Sequence, residues 1–271
     1  MHVLSSFRNC SLVRVIWSIL SGMSTFPANL DDVADFLRKE LSVERFAQAD
    51  RGGIHRALKR QIRRIGLALE PFPGVGNWVR EQRLDALWLH RHWQLNLTGF
   101  PSDVGILCHH LPFDEALTTG YNPRLAKALK ATSELEVLGY KQDKDSKLPP
   151  RPLGMLFDIE QKMYDDCLTS ISTMFKGYDR AEARQGSTIR RVAVVGAMTD
   201  ALVREAARRG AGLYLTGAYR MPGQRAVEET GITVIAVGHR RCEEWGMLVL
   251  ADIIRERWPV ECVVCEPGPN V

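Results

Sequence analysis

The sequence has no Gly-x-Gly-x-x-Gly and no Gly-x-x-x-x-Gly-Lys-Ser/Thr, so neither common glycine-rich phosphate cradle is present. It has no Gly-x-Ser-x-Gly elbow, which leaves a nucleophilic serine triad of that kind without support. No apolar run approaches the roughly 20 residues that span a bilayer. Of the six cysteines, only Cys262 and Cys265 form a C-x-x-C, and no second pair completes a zinc ribbon. That pair lies in the β-like run ECVVC, where alternation suggests packing and reduced thiols in a cytoplasmic protein. Charge of one sign is also lacking. With 36 basic and 32 acidic residues the net charge is +4, too mild to argue for nucleic acid or an anionic membrane surface.

What is present is an ordinary globular composition, 45% hydrophobic and 25% charged over 271 residues, with ample core for one large or two smaller domains. Residues 1–22 hold a short apolar stretch, VIWSIL, behind Arg14 and no A-x-A cleavage pattern. They read as a disordered extension, or as sequence upstream of a working start at Met23. Beyond them, NLDDVADFLRKEL reads as an amphipathic helix with Asn29 or an Asp at its cap. RRIGLALEP, LDALWLH, GILC, RRVAVVG, AGLYLTG, ITVIAVG and VECVVCE read as strands. VGNWVREQR, NPRLAKALKA, residues 155–177, TDALVREAARRG, AVEETG and a segment from near Cys242 read as helices, and the charged, Pro-rich 140–153 reads as loop. This alternation predicts an α/β fold with largely parallel strands.

In such sheets ligands gather at the carboxyl ends of strands. Five of the seven histidines, His90, His92, His109, His110 and His239, fall at predicted strand C-termini. Two of them have a carboxylate four residues on: His110 with Asp114, and His239 with Glu243. Residues four apart share a helix face, and imidazole with carboxylate suits zinc, iron, manganese or similar ions. The plainer alternative is that Glu243 and Glu244 are acids at a helix start and each His a satisfied core group. Gly196, between strand and helix, fits a tight turn better than a phosphate site. Arg220 either reaches an anionic substrate or faces solvent.

Three stretches resemble the Nif-three-like dinuclear metal-centre family, whose members are also described as GTP cyclohydrolase I type two homologues. HHLPFDEALTTGYNPRLAKAL is similar to the family's H-x-P-x-D…G-x-N-x-x-L-A segment. RVAVVGAMTDALVREAARRGAGLYLTG is similar to its strand–Gly–helix–strand unit, and ITVIAVGHRRCEEWG to its G-H-x-x-[ST]-E motif. The resemblance runs over most of residues 24–257 in the family's order. It implies two interlocked α/β halves with largely parallel mixed sheets, divided here as 23–130 and 187–271 with a connecting segment at 131–186. It implies a toroidal hexamer with metal sites facing an inner cavity. It makes Asp114 a bridging carboxylate, His239, Glu243 and His90 metal ligands, and His110 a nearby site residue. The sequence departs from the family where Arg91 replaces the second His of an adjacent pair, and His92, two residues from His90, is the candidate replacement ligand. Ala218 and Cys242 also replace an acid and a Ser or Thr, and the early D-N-x-G-L-Q-like stretch survives only as DRGGIHR.

The expectation is therefore a cytoplasmic protein binding one or two divalent ions per chain (Zn, Fe, Mn or Co). Its leading function is a metal-dependent hydrolase of a small nucleotide-like or amide-bearing substrate, with His110 for proton transfer. The rival is a non-catalytic metal-binding ring, acting as scaffold, store or delivery protein. Neither a nucleic-acid partner nor membrane insertion is expected.

Overall fold

The computed structural model describes residues 28–142, 147–183 and 186–265; the expectation for residues 1–22 falls outside them. In chain order the elements are α1 (Leu30–Glu40), β1 (Gly53–Arg56), β2 (Arg64–Ala68), α2 (Val75–Glu81), β3 (Ala86–Leu89), β4 (Gly105–Cys108), α3 (Leu111–Leu117) and α4 (Pro123–Ala128). Then come β5 (Glu136–Lys141), β6 (Arg151–Met163), α5 (Tyr164–Phe175), β7 (Arg180–Glu182), β8 (Thr188–Val195), α6 (Asp200–Arg208) and β9 (Leu213–Thr216). The last are α7 (Met221–Thr230), β10 (Thr233–Ala236), α8 (His239–Arg257) and β11 (Glu261–Val264). The protein is α/β with two mixed sheets, in separate compact units. Among the described residues, no helix is long and apolar enough to cross a membrane.

The first unit comprises residues 28–38, 52–109 and 247–265. Its sheet has the order β1-β4-β3-β2-β11. β4, β3, β2 and β11 run parallel, and β1 closes the edge antiparallel to β4. β3 and β4 are buried at every position, as the unbroken runs ALWL and GILC require of strands covered on both faces. Val79 and Leu84 pack with Leu87, Leu89 and Ile106 in its core. Asn29 caps α1 by accepting from the Asp32 amide at 2.8 Å.

The second unit comprises residues 39–51 and 110–246. Its sheet order is β5-β6-β8-β9-β10-β7. The central β8, β9 and β10 are parallel, and β5, β6 and β7 are antiparallel to their neighbours. Successive side chains of a strand point to opposite faces, and here both faces are packed. Val192, Val194, Leu213 and Leu215 join α5 residues Cys167, Ile171 and Phe175 in one cluster. Ala193, Val195 and Tyr214 join Leu202, Val203 and Ala226 of α6 and α7 in the other.

Three local expectations are corrected. Residues 140–153 are not all loop, since β5 runs to Lys141 and β6 begins at Arg151. Residues 155–177 are not all helix: they remain in strand to Met163, and α5 begins at Tyr164. The cause is tertiary, an antiparallel ladder from Gly154↔Val195 to Asp158↔Arg191 that holds this stretch extended. The last helix starts at His239, three residues before Cys242, so His239 is its first residue.

Candidate metal centre

Both His–carboxylate pairs lie in the second unit, each at the start of a helix. α3 opens with the Asp114 amide donating to the His110 carbonyl at 3.0 Å, which turns His110 Nε2 to 3.6 Å from Asp114 Oδ2. The Thr118 hydroxyl donates to the Asp114 carbonyl at 2.6 Å and ties the end of the helix to its acid. Asn122 then stops the chain and starts α4. Its side-chain oxygen accepts from the Arg124 and Leu125 amides, and its Nδ2 donates to the Thr118 carbonyl. In α8, His239 Nε2 lies 3.0 Å from Glu243 Oε1. The Glu243 side chain is 4% exposed and the His239 side chain 59%.

Gly217, directly after β9, lies against the loop after α3 and the first turn of α8. A Cβ placed on it would meet Cys242 Sγ at 3.3 Å, Thr119 Oγ1 at 3.4 Å and the His239 Cα at 3.8 Å. The loop after α3 and the first turn of α8 thus meet over a residue with no side chain. Burial pushes the Cys242 thiol up to about 12; a hydrogen bond with Thr119 opposes this, and Glu243 and Asp114 raise it further. A divalent ion fits these donors, because the buried Glu243 carboxylate needs a cationic partner and both acids have an imidazole beside them.

The first unit holds the other candidates. His90 and His92 follow β3. His90 is fully buried and its ring stacks with Trp88 at 6.4 Å between centroids. His109 is structural: its Nδ1 accepts from Trp88 Nε1 at 3.2 Å, and burial pulls its pKa down to about 4. Arg91 bonds Glu70 at 2.9 Å and lies 5.9 Å from the Trp93 ring centroid. His92 Nδ1 is 3.0 Å from Cys108 Sγ, and its ring is 4.4 Å from that of His55. Burial first, then His55, lowers the His92 pKa.

Thr119, Gly217 and His55 had not been singled out from the sequence. His55 follows Gly52-Gly53, a pair that marks a bulge or turn. Thr119 and Gly217 become visible only when strand ends are placed side by side.

The DUF34/NIF3 (NGG1p interacting factor 3) family model matches residues 97–270. The chain belongs to this family. It is 25% identical to the GTP cyclohydrolase 1 type 2 homolog of Pyrococcus abyssi over 252 residues, 86% of this chain and 96% of that protein. With the protein of the same description from Pseudomonas aeruginosa it shares 27% identity over 169 residues, 62% of this chain and 64% of the relative. Among solved structures, protein ybgI, described as of unknown function, superposes with a TM-score of 0.67 at 17% identity, covering 89% of this chain and 100% of that one. TTHA1606 from Thermus thermophilus gives 0.65 at 19% identity, covering 90% and 100%. At these identities the structural likeness is one of fold.

Proposed function

We propose that this NIF3-family protein is a divalent-metal-dependent hydrolase of a small nucleotide-like or amide-bearing molecule. The observation that carries the reading is the presence in one compact unit of two His–carboxylate turns, His110–Asp114 at 3.6 Å and His239–Glu243 at 3.0 Å. His90, His110 and Asp114 offer the imidazole and carboxylate donors that zinc, iron, manganese or cobalt take. We assign Asp114, His239, Glu243 and His90 to the ion and His110 to proton transfer. A divalent ion supplies a Lewis acid and a source of hydroxide near neutral pH. Asp114 orients the His110 ring from 3.6 Å and His239 remains reachable from solvent. The nucleotide-like substrate class is supported by the description its relatives carry, GTP cyclohydrolase 1 type 2 homolog. We extend the reading to a homo-hexamer on the family resemblance, to be checked by sedimentation.

Elemental analysis of metal per chain, after purification without added metal and then reloading, tests the reading with Asp114→Ala and His239→Ala in parallel. Ions that depend on the carboxylates, present in the parent and lost in both variants, with turnover in a screen of nucleotides and cyclic amides, are the expected result. No carboxylate-dependent ion under any loading overturns it. Exchangeable ions without turnover would leave a metal store or scaffold in its place.

A further inference from the structure

A second group of donors lies within the first unit, and none of them is a carboxylate. His92 Nδ1 and Cys108 Sγ are 3.0 Å apart, and the His55 ring lies tilted at 47° with its centroid 4.4 Å from that of His92. The three residues come from three places: the edge strand β1, the segment after β3 and the last residue of β4. Two backbone features put His55 there. β1 and β4 pair Gly53↔Cys108 and Ile54↔Leu107, then the register slips before Arg56↔Ile106, so His55 is the extra residue of a bulge. Bulges re-aim a side chain and concentrate beside functional sites. Just before it, Gly52 has φ +70°, and a Cβ there would come 2.1 Å from the Cys108 carbonyl oxygen. Only glycine lets the Gly52–His55 turn press this closely on Cys108.

We propose that His55, His92 and Cys108 form a second metal site, a nitrogen-and-sulfur site for zinc or a related thiophilic ion. A soft thiolate with two imidazoles is a donor set suited to such ions. Zinc takes nitrogen at about 2.0–2.1 Å and sulfur at about 2.3 Å, which in a tetrahedron sets N and S roughly 3.6 Å apart. The His92–Cys108 pair would open by about half an ångström from its present 3.0 Å. His55 is exposed on an edge strand, and its ring has to turn before a nitrogen comes within ligand distance of the other two donors. Burial holds the Cys108 thiol up at about 11, so it is protonated at neutral pH, and binding an ion releases that proton. Three protein ligands leave a fourth position open. The assignment explains what His92 does in this chain, and it stands independently of the carboxylate-centred reading above.

Cobalt(II) is the probe. The full-length protein is reduced, stripped of metal and titrated with cobalt while the near-ultraviolet thiolate-to-cobalt charge-transfer band is followed. The expected result is a saturable band in the parent and in Asp114→Ala, absent in Cys108→Ser. In His55→Ala and His92→Ala, cobalt binds at least about tenfold more weakly. Because Asp114→Ala removes only the other proposed ions, failure of one reading leaves the other standing. No Cys108-dependent band, or an affinity unchanged by His55→Ala, overturns the site. Should Cys108→Ser fail to fold, His55→Ala at an exposed position decides it.

Discussion

His239 Nε2 lies 3.0 Å from Glu243 Oε1, yet the acid is buried and the imidazole is open to solvent. The buried member depends on the accessible one. In chelated protein, His239→Ala removes a partner that solvent already half-screens, at a cost of about 1 kcal/mol. With manganese, which favours the oxygen-rich centre over a thiolate site, at one hundred times its Kd, the parent gains about 2.7 kcal/mol and melts several degrees higher. The variant gains nothing. Thermal unfolding with and without metal reads both numbers, and an equal metal-induced rise in parent and variant would remove His239 from the ligand set.

The Trp88–His109 contact makes stability depend on acid. His109 is neutral in the fold, with a pKa lowered to about 4 from an unfolded value of 6.5. Its contribution is full above pH 6.5, because neither state then holds the proton. As pH falls, the unfolded chain takes up the proton first, and stability is lost until about pH 4, where the folded state also binds it. The loss is at most about 3 kcal/mol. His109→Gln keeps an acceptor for the Trp88 indole and does not titrate. Urea midpoints of chelated protein between pH 7 and 4 should fall less steeply in the variant, and parallel slopes would show that His109 is not the group responsible.

Gly52→Ala places a methyl group against the Cys108 carbonyl in a left-handed backbone. Neither the β1 turn nor β4 can yield cheaply, so the variant loses at least about 2 kcal/mol by urea unfolding. A loss within about 0.5 kcal/mol would mean that the turn is not held as described.

Asn122 is buried and serves two backbone segments at once, capping α4 and holding the Thr118 carbonyl. Asn122→Ala should cost about 2–3 kcal/mol, the loss of a cap plus an unsatisfied buried carbonyl. Because Thr118 and Thr119 follow α3 directly, metal affinity should fall as well. Isothermal titration of the folded variant with the reloading metal checks this, and unchanged affinity would uncouple the cap from the site.

Elements whose cause is local could be read from the sequence. ALWL and GILC are short apolar runs that fit buried strands, and the cap Asn29 sits where a polar residue precedes an apolar periodicity. The two i,i+4 pairs were legible for the same reason, since four residues is one helical turn. What depends on distant partners was hidden. MLFDIEQKM is strand because β8 lies beside it, and nothing local separates it from the helix that follows. His109 looks like the other strand-end histidines until Trp88, 21 residues earlier, is found donating to it. The convergence on Gly217 joins two loops and the first turn of α8, and the bulge at His55 exists only relative to β4.

The pairing of β11 with β2 carries a consequence for how the protein is made. Glu261–Val264 lies alongside Arg64–Ala68, and the whole of 110–246 is synthesised between them. On the ribosome the second unit's strands are all available before the first sheet has its last member. Until residues 261–264 emerge, Ile65 and Leu67 sit on an open strand edge, the kind that pairs with other chains. A premature stop or a proteolytic clip just after α8 would leave that edge open for good, in a protein whose centre is otherwise complete.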